Sequence, residues 1–185
     1  RLHSAALAGL KTIPLIVRNM DDDAAVIAMV DANLQRETIL PSERAFAYKM
    51  KLEAMKHQGQ RTDLTSCQLG TKLRTDALVA EGTNESARTV QRFIRLTALI
   101  PELLDMVDQK QLAFNPAVEL SYLSQPEQHE LLDAMDYAQS TPSLSQAQRL
   151  KKLSQEGTLH LGTMRTIMSE IKKPELGNVT LKDAT

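Results

Sequence analysis

Three arginines give this sequence its first chemical lead. Arg88, Arg92 and Arg95 recur at helical spacing, with Thr89 and Gln91 between them and Ser86 just ahead. A guanidinium is a planar fork that stays charged and suits phosphate oxygens and guanine edges. The chemistry open to such a set is recognition of an anionic, hydrogen-bonding surface. If the ligand is a DNA duplex, Arg88, Thr89, Gln91 and Arg92 face the groove and Arg95 lies nearer phosphate.

The elements that must position these side chains lie in the stretch from Thr75 to Thr97. Val79 and Ala80 give a first helix an apolar stripe and a small contact residue. Asn84 stands where a tight turn needs a left-handed residue, a conformation that Asn tolerates. Ser86 is placed to cap a second helix by accepting a backbone N–H. Val90, Phe93, Ile94 and Thr97 then fall on one side at helical spacing, opposite the arginines. This is the layout of a DNA-reading helix-turn-helix. An ordinary solvated helix pair would carry similar charges. The spacing from Ala80 through Asn84 to Val90 favours the first reading.

Other chemistries find less support. The sequence has no GxxxxGK[ST] loop, no GxGxxG fingerprint, no HExxH and no CxxC, so no phosphate loop or zinc site is expected. His3, His57, His129 and His160 are scattered, and no catalytic residue is assigned. Cys67 is the only cysteine, which excludes an intrachain disulfide and fits a reducing cytoplasm. The formal net charge is −1, so any basic footprint must be local. No apolar run is long enough to span a membrane, and no membrane partner is expected. Aromatic residues make up only 3% of the chain, so the core must be aliphatic.

Along the chain, Gly9 ends a first helical stretch and Lys11 to Arg18, KTIPLIVR, is the best strand candidate. A lone strand needs a partner, and the pattern opens at Arg1 in mid-helix; both point to further sheet before Arg1. Asp21, Asp22 and Asp23 precede an apolar run from Ala24 to Val30, which reads as a buried helix capped by acids. Pro41 opens a helix ended by Gly59, with Ala45, Tyr48, Leu52 and Met55 inward and Lys49, Lys51 and Lys56 solvated. Gln60 to Lys72 reads as a loop. Further helices open at Pro101, at the pair Asn115 and Pro116, at Pro126 and, through a capping box of Ser143 and Gln146, after Pro142. A last helix covers about Thr163 to Lys172.

Two further clusters carry a resemblance. Arg1-Leu2-His3-Ser4-Ala5-Ala6 matches the second half of a GERR-x-x-A-A box. Asn33-Leu34-Gln35-Arg36-Glu37, followed by Leu40-Pro41-Ser42-Glu43-Arg44-Ala45, matches an ENLQRE…L-x-P-x-E-x-A box. With the helix pair behind them, and Ile100-Pro101-Glu102-Leu103-Leu104 after it, these segments resemble the ParB/RepB-type partition proteins of chromosomes and plasmids. The resemblance runs from Arg1 to about Leu123, and the Gln60–Lys72 stretch is similar to a mobile-element subgroup.

The resemblance implies a mainly α fold: a helical DNA-binding domain with a helix-turn-helix, preceded by a truncated α+β remnant of the family's N-terminal domain. Residues 1–59 would be that remnant, 60–172 the DNA-binding domain and 173–185 a polar tail. It implies binding of a palindromic, centromere-like double-stranded DNA site as a homodimer in the cytoplasm, on nucleoid or plasmid, with a ParA-type ATPase as partner. It further implies CTP and Mg²⁺ as cofactors of the longer protein, with Arg1, Asn33 and Arg36 at the nucleotide and Asn33 at the metal. Ala32 stands where the family has an acidic residue, and Asp31 is one position off, so CTP hydrolysis is not carried over. A nucleotide hydrolase or nuclease, a helical transcriptional regulator and a helical adaptor for other proteins are the alternatives.

Overall fold

A computed structural model describes residues 6–9, 11, 12, 14, 16–36, 38–62, 79, 80 and 85–170. Among them are eight helices: α1 (Asp22–Leu34), α2 (Pro41–Thr62), α3 (Ala87–Leu96), α4 (Pro101–Asp108), α5 (Phe114–Leu120), α6 (Gln125–Ala138), α7 (Leu144–Gln155) and α8 (Leu161–Met168). The described part is therefore mainly α. No helix among the described residues is long and apolar enough to cross a membrane.

The strand expected at Lys11–Arg18 is absent from its described residues, which are irregular. Ile16 and Val17 are 82% and 85% exposed. A β-branched run gains nothing as a strand unless a neighbour completes its ladder.

Helix starts follow local chemistry. Asp21 Oδ1 accepts the Ala24 N–H at 2.7 Å, with Asp22 and Asp23 in the first turn of α1 where the helix dipole favours acids. Yet α1 is not the buried helix its all-round apolar sequence suggests. It packs on α2 along one side, buries Val30, and leaves Met29 49% exposed. Lys51 also departs from expectation: it is buried and pairs with Asp31 at 2.6 Å, which ties the two helices together. Helix α2 runs through Gly59 and Gln60 to Thr62, past its expected end. One glycine costs about 1 kcal/mol against alanine, which a helix already propagating tolerates.

The second half of the molecule is a bundle of short helices around an aliphatic core. Leu96, Leu103, Leu112, Leu120, Leu131 and Leu150 are fully buried there. Pro101 opens α4, and Ser143 with Gln146 forms the capping box of α7, as their spacing predicts. Helix α5 starts two residues earlier than expected, at Phe114 with Ala113 in the cap position, and Asn115 is not its cap. Helix α8 spans Leu161–Met168, and the residues after 170 lie outside the described part. Gln128 is buried and staples the corner after α3: its Oε1 accepts the Ile100 N–H at 2.8 Å, and its Nε2 donates to Leu123 O at 2.9 Å.

A smaller cluster joins the two halves. Tyr48 of α2, Val90 of α3 and Val79, which precedes α3, are buried together, with Phe93 and Ile94 packed against them. Asp108 at the end of α4 accepts the Ser42 N–H at 2.9 Å and also takes the Ser42 hydroxyl, so it caps α2 from outside.

Candidate nucleic-acid interface

Helix α3 begins as its sequence asks. Ser86 Oγ accepts the Thr89 N–H at 3.1 Å, and the two hydroxyls lie 2.9 Å apart. This cap satisfies one of the free N–H groups that every helix start presents. Val90 and Leu96 are fully buried, and Phe93 bridges Tyr48 on α2 and Phe114 on α5, with ring centroids 5.9 and 4.7 Å away. The apolar side of α3 is thus wedged between α2 and the bundle, which fixes where its other side points.

That other side meets a cleft of about 410 Å³ between α3, α5 and α7, bordered by Arg88, Gln91, Arg92 and Arg95. Arg88 is exposed. Arg92 is half-buried: its guanidinium lies 5.1 Å from the Phe114 ring centre and donates to the Asn115 side-chain oxygen. Arg95 is held more firmly. It donates to Ser121 O at 2.8 Å, lies 4.1 Å over the Tyr122 ring, and has its Nε buried without a hydrogen-bond partner among the described residues. The six residues singled out in sequence, Ser86, Arg88, Thr89, Gln91, Arg92 and Arg95, therefore do share one helix. Ser86 and Thr89 serve its cap, and the three arginines grade from open to anchored. Val79 and Ala80 are helical, while Glu81 to Asn84, including the expected left-handed asparagine, lie outside the described residues.

Sequence reasoning missed Glu119, Tyr122 and Lys151, which line this cleft, and Asn115, which holds Arg92 beside it. Asn115 and Tyr122 come from α5 and the turn after it, and Lys151 from α7. Lys151 Nζ lies 3.7 Å from the Tyr122 ring centre and 2.9 Å from Glu119. No local pattern announces them, because only the packing of α5 and α7 brings them to α3.

Asn33 and Arg36 sit where α1 turns toward α2. Both are exposed, and the Asn33 carbonyl accepts the Arg36 N–H at 3.1 Å. They border a hollow of about 280 Å³ lined otherwise mostly by apolar side chains such as Met29, Phe46 and Met50. Arg36 also borders a larger hollow of about 800 Å³ with Arg44, Glu43, Asp108 and Lys110. Arg44 there pairs with Glu85 at 2.7 Å, just ahead of α3, and its guanidinium lies 5.4 Å from the Phe93 ring centre.

No family model matches the chain. Individual relatives do. It is 30% identical over 130 residues to a probable chromosome-partitioning protein ParB of Pseudomonas putida, covering 70% of this chain and 39% of that protein. It is 27% identical over 152 residues to the probable chromosome-partitioning protein ParB of Vibrio cholerae, covering 82% of this chain and 45% of that one. The chromosome-partitioning protein Spo0J of Thermus thermophilus matches at 27% over 152 residues, 82% of this chain and 49% of its own. The chain belongs to the ParB-like family. It spans less than half the length of these relatives.

The ParB-like resemblance implies Mg²⁺–CTP at Asn33 and Arg36, and the described residues test that chemistry. A triphosphate needs several donors converging on it, and magnesium needs oxygen ligands in close octahedral array. Around Asn33 the carboxylates are engaged elsewhere: Asp31 with Lys51, Glu43 with the Leu40 N–H at 3.3 Å, and Asp108 with Ser42. Ala32 offers no ligand. The hollow beside Asn33 and Arg36 is mainly apolar. The larger hollow that Arg36 borders gathers Arg36, Arg44 and Lys110, cations that suit phosphate. But no group of three or more His, Cys, Asp or Glu among the described residues could hold a metal ion, so it is the magnesium that they do not fit; Arg1 lies outside them.

Proposed function

We propose that this chain binds double-stranded DNA sequence-specifically through α3, the second helix of a helix-turn-helix, as the DNA-binding portion of a partition protein. The target would be a palindromic, centromere-like site occupied by a homodimer. The observation that carries the reading is the division of α3 into two sides. Its apolar side is locked against Tyr48, Val79 and Phe114, and its cationic side borders an open cleft. A helix anchored this way can offer Arg88, Gln91 and Arg92 to base edges without itself reorganising. The link from Arg92 to Asn115 and Phe114 supports it, because a fork held in one orientation reads a base edge at lower entropic cost. The relatives, which are named chromosome-partitioning proteins, supply the biological setting.

Selection of bound duplexes from a random pool tests this directly. The reading expects enrichment of an inverted repeat, with each half-site contacted by one copy. A pool that stays random after repeated rounds would reject it.

A further inference from the structure

The cleft beside α3 is far more cationic than the chain that forms it. Arg88, Arg92, Arg95 and Lys151 border it, and Glu119 is the one carboxylate among its lining residues, an excess of three positive charges in a chain of net charge −1. Two of these cations are pressed on a single aromatic ring. The Arg95 guanidinium and the Lys151 ammonium lie 4.1 and 3.7 Å from the centre of Tyr122. The ring attracts each of them, but it does nothing to cancel their repulsion. Glu119, at 2.9 Å from Lys151, offsets one charge. An arriving anion would relieve the remainder, and the site is reachable: Tyr122 is 44% exposed and the Lys151 side chain 26%.

We propose that Lys151 and Tyr122 form a contact site for a phosphodiester of the duplex backbone, flanking the groove entered by α3. This rests on the DNA-binding reading and adds to it a second element, α7, far along the chain. Lysine suits the task, since a compact ammonium binds phosphate as a point charge without reading sequence. Arg95 is a positioning residue here. Anchored on Ser121 O, it holds the Tyr122 ring, which in turn seats Lys151 at the rim. Glu119 tempers the site and keeps Lys151 oriented when no duplex is bound.

The test is fluorescence anisotropy of the chain with a selected duplex and with an unrelated one, across about 50 to 200 mM salt. Lys151→Gln is expected to weaken both duplexes by the same factor, up to roughly tenfold near 0.1 M salt, and to reduce the salt slope by about 0.9. Lys151→Arg should keep the slope. Glu119→Gln should tighten binding, because it removes the negative charge from the cleft. That sign separates a phosphate contact from a merely structural ion pair, for which both neutral variants would weaken binding alike. If the unmodified chain binds with a steep slope and Lys151→Gln changes neither slope nor affinity, the backbone contact is overturned and α3 stands. If the unmodified chain shows no salt-dependent binding to any duplex, the DNA-binding reading fails and this contact with it.

Discussion

The hairpin of α1 and α2 and the bundle of α4 to α8 are held by different physics. The bundle closes over aliphatic side chains, with Leu103, Leu131, Leu150 and Met164 at zero exposure. The hairpin buries little of its own: Val30, Ala45, Tyr48 and Ala54 are inside, while Met29, Phe46 and Met50 are 49%, 49% and 43% exposed. Polar ties do much of the remaining work there, through Lys51–Asp31, Arg44–Glu85 and Ser42–Asp108. Helix α3 lies between the two, with one buried residue in each core: Val90 in the small cluster with Tyr48, Leu96 in the bundle. Apolar burial gives the bundle a stiffness that directional ties alone do not. Helix α3 is packed apolarly on both, Val90 with Tyr48 and Val79 and Leu96 with the bundle, while the Arg92 and Arg95 guanidiniums are anchored on α5 and the turn after it. The hairpin reaches α3 through the apolar cluster of Tyr48, Leu52 and Met55 with Val90, Phe93 and Ile94, and through Arg44, which pairs with Glu85 and lies over Phe93.

Substitutions can break this contrast. The largest effect is expected in the bundle. Leu131→Ala should cost about 2–5 kcal/mol, because its cavity cannot collapse in a packed core. Urea unfolding followed by circular dichroism would measure it, and a cost under about 1 kcal/mol would mean the bundle is not the stiff partner.

Acid should act on the bundle next. Burial alone would raise the Glu127 carboxyl, but the Ser124 N–H and the hydroxyls of Ser124 and Ser154 donate to it and hold it below the ordinary carboxylate value. A depressed folded-state value contributes stability that is present above about pH 4.3 and is lost as pH falls through the folded value. Melting temperature should drop on acidification, and Glu127→Gln should blunt the drop.

The smallest effect belongs to the outer face of the hairpin. Met29→Ser should cost no more than about 1 kcal/mol, since about half of that residue is already exposed. A loss of several times that in the same unfolding measurement would mean that the face is covered in solution.

Much of the frame was legible in the sequence because it is written locally. Ser86 before α3, Pro101 at the start of α4 and the Ser143–Gln146 box each act within one helical turn. The inward spacing of Ala45 and Tyr48 follows from helix periodicity. What was not legible depends on partners far away in the chain. The KTIPLIVR run has strand composition but no described ladder to join. Lys51 reads as a surface lysine until Asp31 of the preceding helix is packed beside it. Asn115 reads as a cap, yet its side chain faces Arg92. The arginines themselves were found by spacing, whereas Tyr122 and Lys151 needed the bundle to be folded first.

The central claim is that the cationic side of α3 reads a duplex. Its most direct test is a titration, at one fixed salt concentration, of Arg88→Ala and Arg92→Ala beside the unmodified chain on a selected duplex and a scrambled one. The account predicts that each variant loses about 1–3 kcal/mol on the selected duplex and much less on the scrambled one. Unchanged affinity of both variants for the selected duplex would contradict it.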